Sequence, residues 1–368
     1  MSRPAYPNLD IAPVAQRVAP EQRQRILDNP QFGTFFSEHM VTIPWREGAW
    51  QRGSLVPFGP LTLSPATSSL HYGQAIFEGL KAYRHASGHV FAFRPQMNAR
   101  RFAGSARRLA MPELPAELFL EALEALVRHD SDWIPSAPET SLYIRPLMFA
   151  TEAALGVRPA SEYLLVMFAS PVGAYFPRGM APVNLWISTE HVRAAPFGTG
   201  AAKCAGNYAA SLEAQALAKT MGCEQVLYLD ATQRKYVEEL GGMNFFMVLR
   251  SGQGLTLVTP DLSSGTLLAG VTRDSILRLA PDLGYRVEER PISVDELQRA
   301  ADDGSLSEAF ACGTAAVITP IGSLSSSKMK VVLNGGQTGA VTQALRDQLI
   351  GIQYGQRPDP YGWMYPIQ

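Results

Sequence analysis

Apolar positions in this chain fall into two kinds of run: dense stretches of strand length, and a few longer stretches with three- to four-residue spacing. After a polar, proline-punctuated arm comes a short helical candidate at 20–30. A turn leading into a strand follows at 32–50, then a strand in 51–65 and a loop-then-strand segment at 71–84. A helix is expected after Pro95. An amphipathic one follows at 115–135, where Leu118, Leu120, Leu123, Leu126 and Val127 supply the apolar stripe. Residues 141–151 and 163–172 read as consecutive apolar strands, and prolines and glycines break the pattern through 171–183.

Beyond that break, 183–188 reads as a strand. Asn207 is the expected N-cap of a helix running from Tyr208 to a stop at Gly222. Residues 224–230 and 235–249 read as strands, with Glu238 as the solvent-facing neighbour of Glu239 because strand side chains alternate. A hairpin turn at 251–254, a helix from Val271 to Leu279 and a Ser-x-x-Glu capping box at Ser293 follow. The series ends with a strand interrupted at Gly313, Thr314 and Ala315 and a terminal helix in 335–355. This mixture predicts an α/β (α+β) protein. At 368 residues two domains are expected: an arm (1–30), a smaller α/β domain (31–176), a connector (177–184) and a larger domain (185–368).

Composition narrows the class. Apolar content of 46% with 18% charged residues describes a globular enzyme, and a net charge of −1 gives no case for nucleic acid or an anionic membrane. No run approaches the length of a membrane span. Cys204, Cys223 and Cys312 form neither a C-x-x-C nor an even set, and the arm lacks a secretory apolar core, so a cytoplasmic location is expected. The six histidines show no metal-ligand spacing, and no bound metal is expected.

The chemistry centres on GTGAAKCAGNY, 198–208. The chain has six lysines, at 81, 203, 219, 235, 328 and 330, against a background of arginine, and Lys203 alone stands in a tract of small residues. Its bland reading is a solvated loop lysine. Against a phosphate loop, the third glycine of G-x-G-x-x-G is replaced by Lys203 itself, and no G-x-x-x-x-G-K-[ST] occurs. What remains is an amine whose surroundings can exclude water, and desolvation lowers an ammonium's pKa toward that of a usable nucleophile. Lys81 is the competing lysine. Glu239 lies in a run apolar enough to bury it, which is costly unless it is paired. The alternative is an edge-strand glutamate facing water. Arg145, inside an apolar strand, needs an anion, either an internal carboxylate or a substrate's.

The stretch from Glu239 through Gly241 and Asn244, with Leu257 to Thr259 and Leu268 to Arg273, resembles in residues and spacing the signature of the class IV pyridoxal-phosphate aminotransferases. HYGQAIFEGLKAYR (71–84), LYIRPLMFAT (142–151), PVGAYF (171–176) and ACGTAAVITPIG (311–322) are similar to the branched-chain amino-acid aminotransferases of that class. The likeness runs from about Phe32 to Tyr354. It implies the two-domain fold type IV, as in D-amino-acid aminotransferase, with the cofactor between the two domains and a homodimeric assembly.

The resemblance further implies that pyridoxal 5′-phosphate is carried on Lys203, which moves a proton between the substrate Cα and the cofactor. Glu239 would face the pyridine nitrogen and Tyr208 the phenolate oxygen, while Arg101, Val271, Thr272 and Thr314 would hold the phosphate. Arg100 is the neighbouring alternative to Arg101. Phe32, Tyr72, Phe77, Tyr143, Arg145, Tyr175, Thr314 and Ala315 would form the substrate pocket; by composition alone Phe32, Tyr72 and Phe77 are equally core aromatics. Substrates would be leucine, isoleucine or valine and their 2-oxo acids, exchanged with glutamate and 2-oxoglutarate. Rivals are a phosphate-binding module, a D-amino-acid aminotransferase and an aminodeoxychorismate lyase-like enzyme. Where mammalian relatives carry a C-x-x-C after the Gly-Thr-Ala triplet, this chain has Ala316 and Thr319, so no thiol switch is expected there.

Overall fold

The computed structural model describes residues 8–12, 14, 17–173 and 180–367. The chain divides into two compact units: Met1–Tyr175 with Ala202–Ala205 and Ile352–Gln368, and Phe176–Ala201 with Gly206–Gly351. The lysine tract thus belongs to the first unit although both its flanks belong to the second. The expected connector at 177–184 overlaps the undescribed segment 174–179, and Tyr175 lies outside the described residues.

Among the described residues the first unit is built on a ten-stranded sheet. Its centre is the antiparallel pair Ser141–Ala150 and Tyr163–Val172, in a register that sets Arg145 opposite Phe168 and Tyr143 opposite Ser170. The strand His39–Arg46 continues on one side and Leu80–Arg84 on the other. Helices Pro95–Arg108 and Ala116–His129 supply apolar faces, with the Phe102 and Phe119 rings 5.9 Å apart. In the second helix Phe119, Ala122, Leu123 and Leu126 are buried at helical spacing, while Leu118 and Leu120 sit at the flank, only partly covered. Each fully buried leucine there contributes about 1.5–3 kcal/mol. The strand Met364–Ile367 closes one edge against Val90–Phe93; the sequence pattern did not predict it.

The second unit holds a nine-stranded sheet. Six of its strands form a closed ring: Val237–Leu240, Gln225–Leu229, Val183–Ser188, Val317–Ser325, Leu306–Gly313 and Asn244–Ser251, the last returning to the first through Glu239 and Asn244. The single strand expected over 235–249 is therefore two antiparallel strands joined at Gly241–Met243. Closure also corrects the reading of Glu238. It is 3% exposed rather than solvent-facing, because the ring leaves neither face of that strand in open water.

Helix Val271–Asp282 begins where expected. The Ser293 cap is present as well, its hydroxyl accepting the Glu296 N–H at the head of Val294–Asp302. Buried Glu308 anchors the last helix, Ala340–Gln353, by accepting the amides of Val341 and Thr342 and the Thr342 hydroxyl. No helix among the described residues is long and apolar enough to cross a membrane.

Candidate active site

In the first unit, the lysine tract is stitched to the short strand Ala75–Phe77. Lys203 N–H donates to Ser105 Oγ at 2.9 Å, its carbonyl accepts the Phe77 N–H at 3.0 Å, and Cys204 forms a bridge with Ile76. Backbone bonds, rather than a flexible loop, fix where the lysine stands. Its Nζ lies 4.8 Å from the centre of the Phe77 ring.

Four of the expected residues converge around it. The Arg145 guanidinium stacks over the Phe77 ring at 4.8 Å and near the Tyr143 ring at 5.4 Å, and its Nη2 donates to Tyr143 Oη at 3.2 Å. Phe32 meets Tyr143 edge-on, with ring centres 5.1 Å apart. Gly79 permits this packing, since a Cβ there would collide with Tyr143 Oη. The Nε of Arg145 is buried and has no hydrogen-bond partner among the described residues, which leaves one donor unused there.

Beside the lysine, Arg101 forks onto Glu78, with Nε 2.6 Å from Oε1 and Nη2 2.8 Å from Oε2. Asn98 and the Gly79 amide donate to the same carboxylate, which is fully buried. Burial alone would raise the Glu78 carboxyl; Arg101 above all, then Lys203 and Asn98, carry it below the ordinary range. Lys203 moves the other way. Burial, reinforced by Arg101 and Arg145 and opposed by Glu78 and Tyr143, brings its amine down from 10.5 to about 8. Glu78 was not singled out from the sequence, although a carboxylate between Phe77 and Gly79 in an apolar segment was the available signal.

Tyr72 stands apart from these contacts. It ends the short helix Ser68–Tyr72, is 42% exposed, and its hydroxyl donates to the Leu155 carbonyl at 2.7 Å. Lys81, the competing lysine, is buried in the strand Leu80–Arg84, where it pairs with Tyr143 in register.

The second unit carries the other expected group. Glu239 is 3% exposed, and its Oε2 accepts Asn244 Nδ2 at 2.8 Å and the Leu268 N–H at 3.2 Å, while Oε1 lies 3.0 Å from Arg193 Nη2. Val271 and Thr272 are buried in the first turn of their helix, which has no capping side chain; its first internal bond is Asp274 N–H to the Gly270 carbonyl. The preceding first-turn amides are thereby left to serve an anion. Thr314 and Ala315 form the turn between Leu306–Gly313 and Val317–Ser325, next to Val317 at φ 59°, a costly conformation for a β-branched residue.

Tyr208 lies on the short helix Ala205–Ala209, not at the start of a long one. Asn207 does not cap it. The amide side chain instead holds Thr199, through Oγ1 at 2.6 Å and the carbonyl at 2.8 Å, so it pins the glycine loop; the following helix is Leu212–Thr220. The fold also gathers a buried Glu38, His39 and Asp130 that spacing did not reveal. In that cluster His39 Nδ1 meets Asp130 Oδ1 at 2.5 Å and Glu38 accepts the Val18 amide, so protein donors are already in place.

Residues 75–324 match the family described as amino-transferase class IV. The chain is 55% identical over 363 residues to the probable branched-chain-amino-acid aminotransferase of Streptomyces coelicolor, spanning 98% of this chain and 99% of that one. Among solved structures, the branched-chain amino acid aminotransferase of Escherichia coli superposes with a TM-score of 0.74 at 28% identity, covering 90% of this chain and 100% of its own. The branched-chain amino acid aminotransferase from Thermobaculum terrenum, in its PLP-bound holo-form, superposes with a TM-score of 0.69 at 26% identity, covering 90% and 99%.

Proposed function

The chain belongs to the class IV aminotransferases, and from that premise we propose that it transfers the amino group of leucine, isoleucine or valine to 2-oxoglutarate, with pyridoxal 5′-phosphate as its cofactor, giving the branched 2-oxo acid and glutamate. The donor set suits that group. A desolvated amine at Lys203 serves an aldehyde, the uncapped first turn at Val271 and Thr272 serves a phosphate, and the buried carboxylate of Glu239 serves a ring nitrogen. When bound, pyridoxal phosphate supplies an electron-accepting ring that acidifies the substrate Cα–H.

The chain's own residues do the rest. Lys203, brought down from 10.5 to about 8, has far more neutral amine near physiological pH than an ordinary lysine, and that form would accept the proton from the substrate Cα. Glu239 would keep the ring nitrogen protonated, Tyr208 would bond the ring oxygen, and Arg101, the amides of Val271 and Thr272 and the Thr314 hydroxyl would hold the phosphate. On this reading Glu78 orients the Arg101 fork. Tyr143 and the turn at Thr314 and Ala315 would receive the substrate carboxylate, with Phe32 and Phe77 around the side chain.

One observation carries the double specificity: the Arg145 guanidinium sits over the Phe77 and Tyr143 rings, and its buried Nε has no hydrogen-bond partner among the described residues. Ring faces accept a branched apolar side chain, and the guanidinium edge accepts a glutamate carboxylate, so one pocket serves both substrates. The test is the absorbance spectrum of the reconstituted protein. Leucine should convert it and 2-oxoglutarate should restore it, with glutamate released. A spectrum unmoved by leucine overturns the assignment; one that leucine moves but 2-oxoglutarate does not restore overturns the acceptor.

A further inference from the structure

Arg193 is absorbed by none of the roles above, yet it occupies the centre of the Glu239 cluster. Its side chain is 4% exposed and that of Glu239 5%, with Nη2 3.0 Å from Oε1. The same Nη2 reaches the Gly200 carbonyl at 3.0 Å and the Thr266 carbonyl. One guanidinium therefore joins the glycine loop, the segment leading into the Val271 helix, and the glutamate. Gly270 lets that helix start close to the cluster, since a Cβ there would collide with Asn244 Oδ1 while Asn244 holds Glu239.

A structural role explains this poorly. A buried ion pair is weak evidence for stability, because desolvation offsets most of the attraction. This one is also incompletely satisfied: Arg193 Nε and Glu238 Oε2 are buried without hydrogen-bond partners among the described residues. The surrounding titratable groups do not replace it. Burial pushes Tyr228 up to about 12, with Arg193 opposing, and raises the Cys312 thiol, with Arg273 opposing and Glu239 adding to the rise. Burial also raises Glu238, against the Thr266 hydroxyl and Arg193, with Asp230 adding to the rise. Arg193 places a cation in direct contact with Glu239 Oε1.

We propose that Arg193 is a positioning residue that holds Glu239 as the anion, so that the proton shared between this carboxyl and a facing pyridine nitrogen resides on the nitrogen. The inference rests on the reading of Glu239 given above. Two arrangements compete for that proton: carboxylate with pyridinium, and carboxylic acid with neutral pyridine. Atoms and charge are the same in both, and a water-poor site favours the uncharged one. A guanidinium against Oε1, with Asn244 and the Leu268 amide against Oε2, reverses that preference by binding the carboxylate form. Without Arg193 the proton returns to Glu239 and the ring loses its electron-withdrawing charge.

The test is solid-state nitrogen-15 NMR of holoenzyme reconstituted with pyridoxal phosphate labelled at the ring nitrogen. Wild type should show the protonated resonance, and Glu239→Gln and Arg193→Met should both move it to the unprotonated position. Arg193→Lys, which keeps the charge, should restore it in part. A change on Glu239→Gln with none on Arg193→Met overturns the role of Arg193. No change on either overturns the placement of Glu239 and the inference with it. Should Arg193→Met not fold, infrared difference spectra of apoprotein, wild type minus Glu239→Gln, report Glu239 directly; a carboxylate band at neutral pH is expected, and a protonated carboxyl band overturns the proposal.

Discussion

The Lys203 cluster of the ten-stranded unit and the Glu239 cluster of the closed ring resemble each other in outline, each being an ionisable group set among buried polar side chains and backbone bonds. Their electrostatics run in opposite directions. Around Lys203 stand two cations, Arg101 and Arg145, and one carboxylate, Glu78, which is itself claimed by Arg101; burial and surplus positive charge push the amine toward its neutral form. Around Glu239 the hydrogen-bond and ion-pair partners include Arg193, Asn244 and the Leu268 amide, one cation and two neutral donors. Burial by itself therefore does not fix charge. The sign of the neighbours decides whether a buried group surrenders its charge or keeps it.

The most severe way to break the comparison is to remove the lysine. Lys203→Ala should lower the leucine half-reaction by about 10⁴-fold or more, the scale on which removal of an enzyme's nucleophile acts. Stopped-flow absorbance measures it, and borohydride reduction followed by peptide mapping of the parent should label Lys203. Label on Lys81 would remove the premise that the first cluster is the reactive one.

Next in size is the loss of the anion that keeps the first cluster from being wholly cationic. Glu78 is fully buried and Arg101 nearly so; breaking such a pair from one side costs about 3–5 kcal/mol. Glu78→Gln should show this loss in denaturant unfolding of the cofactor-free protein. A loss below about 1 kcal/mol, the range of exposed pairs, would mean that Arg101 finds other partners and that the pair does not organise the cluster.

These clusters also show what the sequence could and could not disclose. Lys203 and Glu239 stood out because each is a residue type unexpected in its run, a lysine among small residues and a carboxylate among apolar ones. The long strand carrying Arg145 and its partner strand, the Ser293 cap and the Val271 helix were legible because period and cap chemistry are local. Arg193 was invisible: one arginine in a chain rich in them, followed by Ala194, Ala195 and Pro196, gains its meaning only from Gly200, Glu239 and Thr266, which tertiary closure brings to it. Glu238 misled for the same reason, since strand alternation predicts a wet face only where a sheet has one. Asn207 carried a valid cap signal, but Thr199 competed for its amide and won. The strand Met364–Ile367 is short, and only the edge of Val90–Phe93 gives it a place.

A smaller effect probes how the first cluster divides its cations. Arg145→Met leaves the apolar faces of Phe77 and Tyr143 but removes the guanidinium, so KM for glutamate and 2-oxoglutarate should rise about tenfold or more, the loss of one charge-assisted bond. KM for leucine and its 2-oxo acid should move far less. Equal losses in steady-state kinetics would make Arg145 a support for Tyr143 and nothing more.

The last test takes the comparison at its root, because it reads the charge of Lys203 itself. The amine is depressed to about 8 in the folded protein, below its ordinary 10.5, so above about pH 8 the folded state releases a proton that the unfolded state keeps. Stability from this group therefore rises as pH climbs from about 8 toward 10.5 and is lowest at and below neutrality, where the folded state still holds a desolvated ammonium. In cofactor-free protein, Lys203→Met removes that penalty. The variant's advantage in Tm over the parent should be fullest below pH 8 and shrink as pH rises through the window. Reductive alkylation of Lys203 in the parent should titrate with a midpoint near 8. Arg101→Met should move that midpoint up and Glu78→Gln should move it down, since the first removes a repelling cation and the second an attracting anion. A midpoint at the ordinary lysine value, unmoved by either change, would show that neighbouring charge does not govern the first cluster, and the contrast with Glu239 would fail there.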